Sequence, residues 1–187
     1  MTPYVIRRAR RNDVRAVSAL LAASAAWMRQ RGSQAWPPGG FPDERILLDI
    51  GDGTCWLLME RSTKAPVATL VLDARPDAEF IAAGLGVEGQ PVTEALLVHK
   101  MAVDRNQAGK GIGGLLLDWV CAQAAQAGKD WVWINVARDN RRLQAWYISN
   151  GFEHMTTVNI GRPSGSLWRR AAERQPRLKQ AIREAGL

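Results

Sequence analysis

The stretch AGKGIGG, Ala108 to Gly114, constrains the fold of this chain more than any other part of its sequence. It holds four glycines, follows the apolar run of residues 93–103 and opens a leucine-rich helical pattern over residues 111–127. Glycine loses more conformational entropy on folding than any other residue, so glycines this close together need a structural reason. A strand, a glycine turn and a helix N-terminus together present free main-chain N–H groups and the positive end of the helix dipole. The pattern predicts an anion site to which Lys110 adds a cation, with tight helix–sheet packing as the alternative.

Two well-known phosphate-binding motifs fit this stretch poorly. Gly109, Gly111 and Gly114 do satisfy the dinucleotide fingerprint G-x-G-x-x-G. A dinucleotide-binding domain needs an acidic residue at the end of the next strand, whereas Asp130 stands at the start of that strand here. No segment matches the P-loop sequence G-x-x-x-x-G-K-S/T. Both of these folds are therefore disfavoured.

The rest of the chain reads as strands and helices arranged around this turn. We expect strands over residues 4–9, 54–60, 67–73, 93–103, 130–137, 152–160 and 165–171, and helices over residues 14–31, 43–50, 111–127 and 140–150, with a short basic helix at the end of the chain. The second and third strands form a hairpin, and Asn12 or Asp13 caps the first helix. Pro76 to Gln90 is irregular, with one helical turn. Strands and helices alternate only in the second half, which predicts one mixed sheet flanked by helices.

Composition limits the class of protein. The chain has 187 residues, of which 47% are hydrophobic, and this suits one globular domain. Part of the net charge of +7 is local, because residues 168–187 form a predicted basic tail. No basic segment is interleaved with aromatic residues, so nucleic-acid binding is not expected. Cys55 and Cys121 form no disulfide or metal pattern. No apolar run is long enough for a membrane span and the first residues lack the layout of a signal peptide, so a cytoplasmic protein is expected.

Two motifs in order resemble the GCN5-related N-acetyltransferases, the acetyl-CoA-dependent GNAT superfamily. The first is AGKGIG, Ala108 to Gly113, which occupies the window of the family's phosphate turn R/Q-x-x-G-x-G/A. The second is Asn140, followed by Tyr147 seven residues later and by a Gly-Phe pair four residues after that. The resemblance covers residues 94–155 and implies a single GNAT domain over residues 1–187. It implies an α/β (mixed α+β) fold: a mixed, mostly antiparallel, twisted sheet of about six to seven strands with splayed central strands, flanked by about four to five helices.

The resemblance also implies the co-substrate, acetyl-CoA. Its pyrophosphate is expected on the main-chain N–H groups of Ala108, Gly109, Lys110, Gly111, Ile112 and Gly113. Its pantetheine arm is expected to pair like an added strand with Met101, Ala102 and Val103, and to contact Asn140. Two features of the family pattern are missing. The usual Arg or Gln of the turn is Ala108, with Gln107 one place early, and Leu97 and His99 stand where the family often has a glutamate base.

Three side chains are candidates for the chemistry. Tyr147 matches the family's tyrosine at the thiolate, where a phenol donates a proton or a hydrogen bond, and a packed tyrosine is the alternative. His99 is the candidate base because it alternates with Met101 and Val103 on one strand face, and a water held by the backbone is the alternative. Trp36, in a loop rich in proline and glycine, either contacts the substrate or plugs the core.

These expectations together predict an N-acetyltransferase. It moves the acetyl group of acetyl-CoA directly to a primary amine of a small molecule, with a base or water relay and a tyrosine acid. The alternative is a non-catalytic acyl-CoA-binding sensor or regulatory protein of the same fold, which Ala108 and the absent glutamate keep open. A homodimer is a further expectation, because family members often dimerise.

Overall fold

The computed structural model describes residues 3–173 and 181–185. Within these residues the strands are β1 (Tyr4–Arg8), β2 (Cys55–Glu60), β3 (Pro66–Asp73), β4 (Ala95–Val103), β5 (Trp131–Ala137), β6 (Glu153–Thr157), β7 (Ser164–Ala171) and β8 (Ile182–Glu184). The α-helices of the same residues are α1 (Val14–Arg29), α2 (Asp43–Gly51), α3 (Ala78–Ala82), α4 (Ile112–Gln126) and α5 (Arg141–Ser149). The strands form one open mixed sheet in the order β6-β7-β5-β4-β3-β2-β1-β8. The expected fold class is therefore confirmed.

The described residues contain eight strands, one more than the sequence predicted, because β8 was not foreseen. β8 runs parallel to β1, with Ile182 opposite Tyr4. The short basic helix expected at the end of the chain is therefore wrong over residues 182–184. Ile182 is buried while the two residues after it are exposed, and the pairing satisfies main-chain groups along β1. The predicted tail, residues 168–187, likewise begins inside β7 and includes β8, and its residues 174–180 and 186–187 lie outside the described residues.

Most other local expectations agree with the structure. β2 and β3 form the predicted antiparallel hairpin, with Cys55 opposite Val71, and the single helical turn expected after β3 is α3. The predicted cap of the first helix is wrong in detail. The Asp13 carboxylate accepts hydrogen bonds from Arg7 at 2.6 Å and from the Arg10 main-chain N–H at 2.7 Å, and makes no capping bond to α1. The guanidinium competes successfully for the oxygens that a cap would use.

The chain divides into two compact units, of which the first comprises residues 1–72, 100–119 and 176–187. Helices α1 and α2 pack their buried apolar residues against alternate residues of β2. This core contains Ala9, Val17, Leu20, Leu21, Ile46, Cys55, Leu57, Val71 and Ala102. From the opposite face of β2, Trp56 packs edge-on against Trp119 of α4, with ring centroids 4.8 Å apart. The first unit is thus packed on both faces of β2.

The second unit comprises residues 73–99 and 120–175. Its core contains Phe80, Val92, Ala95, Leu97, Trp133 and Leu167, and the Phe80 and Trp133 rings stack 5.2 Å apart. Within the second unit, β4 pairs in parallel with β5 from Ala95 opposite Trp131 to Val98 opposite Ile134. No helix in the described ranges has the length and apolar character needed to cross a membrane.

Candidate functional site

The glycine turn of the first unit lies between β4 and α4. The Asp104 carboxylate accepts the main-chain N–H of Asn106 at 3.0 Å, which holds the chain in a tight turn as it leaves β4. Gly109 and Gly111 have φ values of 82° and 75°, in the left-handed region that favours glycine. A Cβ atom at either position would meet nothing within 4 Å. These two glycines therefore serve the turn's own conformation and leave its surface open, which does not favour the close-packing alternative.

The N–H groups of this turn are mostly free. Among the described residues, no hydrogen bond is donated by the main-chain N–H of Gly109, Gly111, Ile112 or Gly113. The N–H of Ala108 donates within the turn to the Arg105 carbonyl at 3.3 Å, and that of Lys110 donates to the Gln107 carbonyl at 3.4 Å. The free donors sit where α4 begins, so the helix dipole adds to their positive potential. This arrangement is suited to an anion with several oxygens.

The side chain of Lys110 also belongs to the turn. Its Nζ donates to Gln107 Oε1 at 2.7 Å. Gln107, the residue that stands one place early in the motif, therefore holds this cation beside the turn. An exposed ammonium on a flexible stem can reach an anion at the turn at little cost.

The second half of β4 contains a backbone irregularity at Lys100. Its φ is 49°, which is unusual for a residue other than glycine and interrupts the alternation of the strand. Regular alternation therefore no longer supports the inference that His99 shares one face with Met101 and Val103, which stays a prediction. Within the first unit, Ala102 is buried in the core and Met101 and Val103 are half-buried.

Lys100 makes a buried ion pair that sequence reasoning missed. Its Nζ binds the carboxylate of Asp49 on α2, and the two side chains are 11% and 4% exposed. The same Nζ lies 5.3 Å from the centroid of the Phe41 ring, and that ring packs edge-on against Trp36 at 5.3 Å. Trp36 is half-buried and packs on the core of the first unit, which favours the plug among the two roles expected for it.

In the second unit, His99 lies beside a carboxylate that ends β3. His99 Nε2 is 3.5 Å from Asp73 Oδ1, and the two side chains are 23% and 10% exposed. The Asp73 oxygens also accept the Arg75 main-chain N–H at 2.9 Å and its guanidinium at 3.3 Å. Burial opposes ionisation of Asp73, but the hydrogen bond and charge of His99 and the contacts of Arg75 outweigh it, so the pKa of Asp73 lies below its ordinary value. The histidine therefore faces an anion.

The motif that contains Asn140 and Tyr147 predicted a helix, and this helix is α5 of the second unit. Asn140 directly precedes α5, and Tyr147 lies on it. Asn140 caps α5, because its Oδ1 accepts the Leu143 N–H at 3.0 Å, and its amide nitrogen remains for other contacts. Tyr147 is 9% exposed and packs edge-on against Trp146 and Phe152. Burial raises the pKa of the Tyr147 phenol to about 12. The phenol is therefore protonated at neutral pH, and no group among the described residues hydrogen-bonds to it.

The remaining candidate nucleophiles and bases are structural. Cys55 is buried with its Sγ 3.8 Å from Thr69 Oγ1, and burial raises the pKa of its thiol to about 11. Cys121 is also buried. His154 lies on the exposed strand β6, where its Nε2 is 2.9 Å from Thr157 Oγ1. Cys55 therefore has neither the exposure nor the lowered pKa that a reactive thiol needs.

Fold and turn together define a class of acyl-CoA-dependent transferase, and comparison with known proteins agrees. The model of the Acetyltransferase (GNAT) family matches residues 22–152 of the chain. The chain belongs to this family, whose members transfer the acetyl group of acetyl-CoA. It is therefore an acetyl-CoA-dependent acyltransferase, and acetyl-CoA is its co-substrate.

Individual relatives are distant. The N-acetyltransferase YesJ of Bacillus subtilis (strain 168) is 26% identical over 145 residues, which are 76% of this chain and 78% of that protein. The structure of a GNAT-family acetyltransferase from Listeria monocytogenes 4b F2365 is 17% identical, with a TM-score of 0.73 over 90% of this chain and 94% of that one. The structure of yncA from Salmonella typhimurium with acetyl-CoA is 15% identical, with a TM-score of 0.62 over 94% and 97%. At these identities the structures establish a shared fold.

Proposed function

We propose that this chain acetylates a primary amine of a small molecule by direct transfer from acetyl-CoA. The observation that carries the proposal is the open glycine turn at the start of α4, with its free N–H groups, in a chain of the GNAT family. The relative YesJ bears the name N-acetyltransferase, which supports nitrogen as the acceptor atom. The non-catalytic acyl-CoA sensor that Ala108 kept open is not retained, because the chain belongs to a family of acetyltransferases.

The turn fits a pyrophosphate. The N–H groups of Gly109, Gly111, Ile112 and Gly113 are donors without partners among the described residues, and a diphosphate offers enough oxygens for all of them. The donors of Ala108 and Lys110 are already used at long distance, so their contribution is smaller than the motif implies. The Lys110 ammonium supplies a charge that Ala108 cannot. In this proposal the main-chain groups of Met101, Ala102 and Val103 pair with the amides of the pantetheine arm, and the amide of Asn140 contacts that arm.

His99 is the proposed base. An alkyl ammonium has a pKa of about 10.4, so it must lose one proton to attack and a second one to become an amide. The first proton passes through the imidazole of His99 to solvent. The neutral nitrogen then forms a bond to the thioester carbon, gives its second proton to the same imidazole, and the C–S bond breaks. The imidazole later releases its proton to solvent, so that each turnover yields one amide and one free thiol.

Tyr147 is the proposed donor to the departing sulfur. Its phenol, with a pKa of about 12, stays protonated throughout the neutral range. Complete transfer of that proton to a thiolate of pKa about 8.5 is uphill by about 5 kcal/mol. A hydrogen bond from the phenol to the thiolate is therefore the more economical role, with solvent completing the protonation.

Turnover with a panel of amines tests the proposal. The purified full chain is mixed with acetyl-CoA and with diamines, amino acids, aminoglycosides or short peptides, and the release of free thiol is followed. Thiol release that depends on one class of small amine supports the proposed function. Saturable binding of acetyl-CoA without thiol release above the rate of hydrolysis, for every amine, refutes the proposed function. Release that depends only on the peptides refutes the small-molecule acceptor.

A further inference from the structure

We propose that Asp73 is a positioning residue, which holds the imidazole of His99 through Nε2 and leaves Nδ1 as the nitrogen that takes the proton of the acceptor amine. The inference rests on the proposed role of His99 as base. Spacing along the sequence does not by itself connect the two residues. Asp73 is the last residue of β3, and His99 lies in β4, the neighbouring strand of the sheet.

The orientation of the Asp73 carboxylate is fixed from two sides. Its Oδ1 accepts the Arg75 main-chain N–H at 2.9 Å, and its Oδ2 accepts the Arg75 guanidinium at 3.3 Å. The carboxylate is 10% exposed, so water has little access to it. His99 Nε2, 3.5 Å from Oδ1, is the other described group placed to donate to this anion. Contacts of this length in an enzyme without substrate commonly shorten when substrate binds.

The chemistry of imidazole then decides which nitrogen acts. A neutral imidazole carries one N–H and one lone pair. An anionic carboxylate beside Nε2 favours the N–H at that atom, because a lone pair there would face a second negative charge. The lone pair is therefore at Nδ1. When Nδ1 accepts the amine proton, the imidazolium stays paired with the carboxylate, which stabilises the charge that develops.

His99 and, to a smaller extent, Arg75 explain why Asp73 remains an anion. Desolvation raises the cost of the buried charge, and the contacts from His99 and Arg75 more than offset it, which places the pKa of Asp73 below its usual range. Across the neutral range the carboxylate is ionised, so its effect on the imidazole does not depend on its own titration. The Asp73 carboxylate at the end of β3 thus places a negative charge beside β4, the strand on which the family often has a glutamate base.

A double-mutant cycle in the full chain tests the proposal. Asp73→Asn is expected to lower kcat about 10- to 100-fold, because general-base catalysis contributes about 100- to 10,000-fold and only part of it depends on orientation. The KM for acetyl-CoA should change less than about threefold. In His99→Gln, which keeps an amide nitrogen near the place of Nε2 but offers no base at Nδ1, Asp73→Asn should cause no further loss. Asp13→Asn is the control, because Asp13 is also half-buried and paired with an arginine but lies in no proposed site.

The outcomes separate this proposal from the role of His99. Wild-type kcat in His99→Gln refutes the base and the positioning together. An impaired His99→Gln with an unimpaired Asp73→Asn refutes the positioning alone. An equal loss caused by Asp73→Asn in the wild type and in His99→Gln also refutes it, because a structural defect acts in both backgrounds.

Nuclear magnetic resonance of the imidazole nitrogens gives a readout that needs no catalysis. The chain contains two histidines, so the variant His154→Gln leaves only the signals of His99. We expect the neutral ring to carry its proton on Nε2 more completely in this variant than after the further change Asp73→Asn. An Nδ1–H form, or the same tautomer ratio with and without the Asp73 carboxylate, would overturn the proposal even if the enzyme is active.

Discussion

Replacement of Tyr147 by phenylalanine isolates the phenol that we place at the departing sulfur. The ring packs edge-on between Trp146 and Phe152, and Tyr147→Phe keeps that packing. The phenol has no hydrogen-bond partner among the described residues, so its removal should change the free energy of unfolding by less than about 0.5 kcal/mol. A hydrogen bond to a charged acceptor is worth about 1.5–3 kcal/mol. If this bond forms only as the thiolate develops, kcat falls by about 10- to 150-fold.

The assay is steady-state thiol release under saturating amine. The KM for acetyl-CoA should stay within about twofold of the wild type, because the bond contributes to the transition state and not to ground-state binding. The chain contains two tyrosines, so Tyr4→Phe on β1 is the matched control and should leave kcat unchanged. Wild-type kcat in Tyr147→Phe, or a raised KM with the same kcat, would refute the reasoning.

The same substitution makes a prediction about alkaline pH. In the folded state the pKa of the Tyr147 phenol is about 12, whereas the pKa of a tyrosine in the unfolded chain is about 10. Folding therefore favours the protonated phenol, and the stability linked to it is complete below about pH 10 and lost as pH rises toward 12. The expected loss is about 2–3 kcal/mol by pH 12. Urea unfolding should show a smaller alkaline loss in Tyr147→Phe, and an identical loss in both proteins would contradict the raised pKa.

Two stability predictions follow from buried contacts elsewhere. Lys100→Met leaves the Asp49 carboxylate buried without its partner and should lower the free energy of unfolding in urea by about 3–5 kcal/mol. The double variant with Asp49→Leu should recover most of that loss. A double variant no more stable than Lys100→Met would show that the unpaired charge is not the cause. Gly165→Ala places a Cβ 2.2 Å from the Val158 carbonyl oxygen at a φ of 129°. The melting temperature of this variant should therefore fall well below that of Gly161→Ala, where φ is 81° and the space is open. Equal melting temperatures of the two variants would contradict the close approach.

Local sequence signals located the glycine turn and α5 well. Gly109 and Gly111 indicated a turn before a helix, and both adopt the positive φ that glycine tolerates. Asp139 or Asn140 indicated the start of a helix, and the structure assigns the cap of α5 to Asn140. These features depend on residues a few positions apart. Helical spacing likewise identified the buried face of α1.

Features that depend on distant residues could not be read in this way. The strand β8 was missed because its hydrogen-bonding partner, β1, lies at the other end of the chain. The contact between Asp73 and His99 depends on the sheet order, and the irregularity at Lys100 breaks the period-two pattern on which strand faces are assigned. A carboxylate at the end of the strand before the histidine strand was the one signal that pointed to Asp73.

Calorimetric titration with acetyl-CoA tests the central claim, that the turn at the start of α4 binds the pyrophosphate. Gly111→Asp and Gly128→Asp form a matched pair, because both glycines have positive φ and open space at the Cβ position, but Gly128 follows the C-terminal end of α4. Two negative charges about 5 Å apart at an effective dielectric constant of about 20 repel by about 3 kcal/mol, which exceeds a tenfold change in affinity.

We predict saturable binding of acetyl-CoA to the wild type, similar affinity in Gly128→Asp, and at least about tenfold weaker binding in Gly111→Asp. Wild-type affinity in Gly111→Asp would contradict the account, and so would equal weakening in both variants.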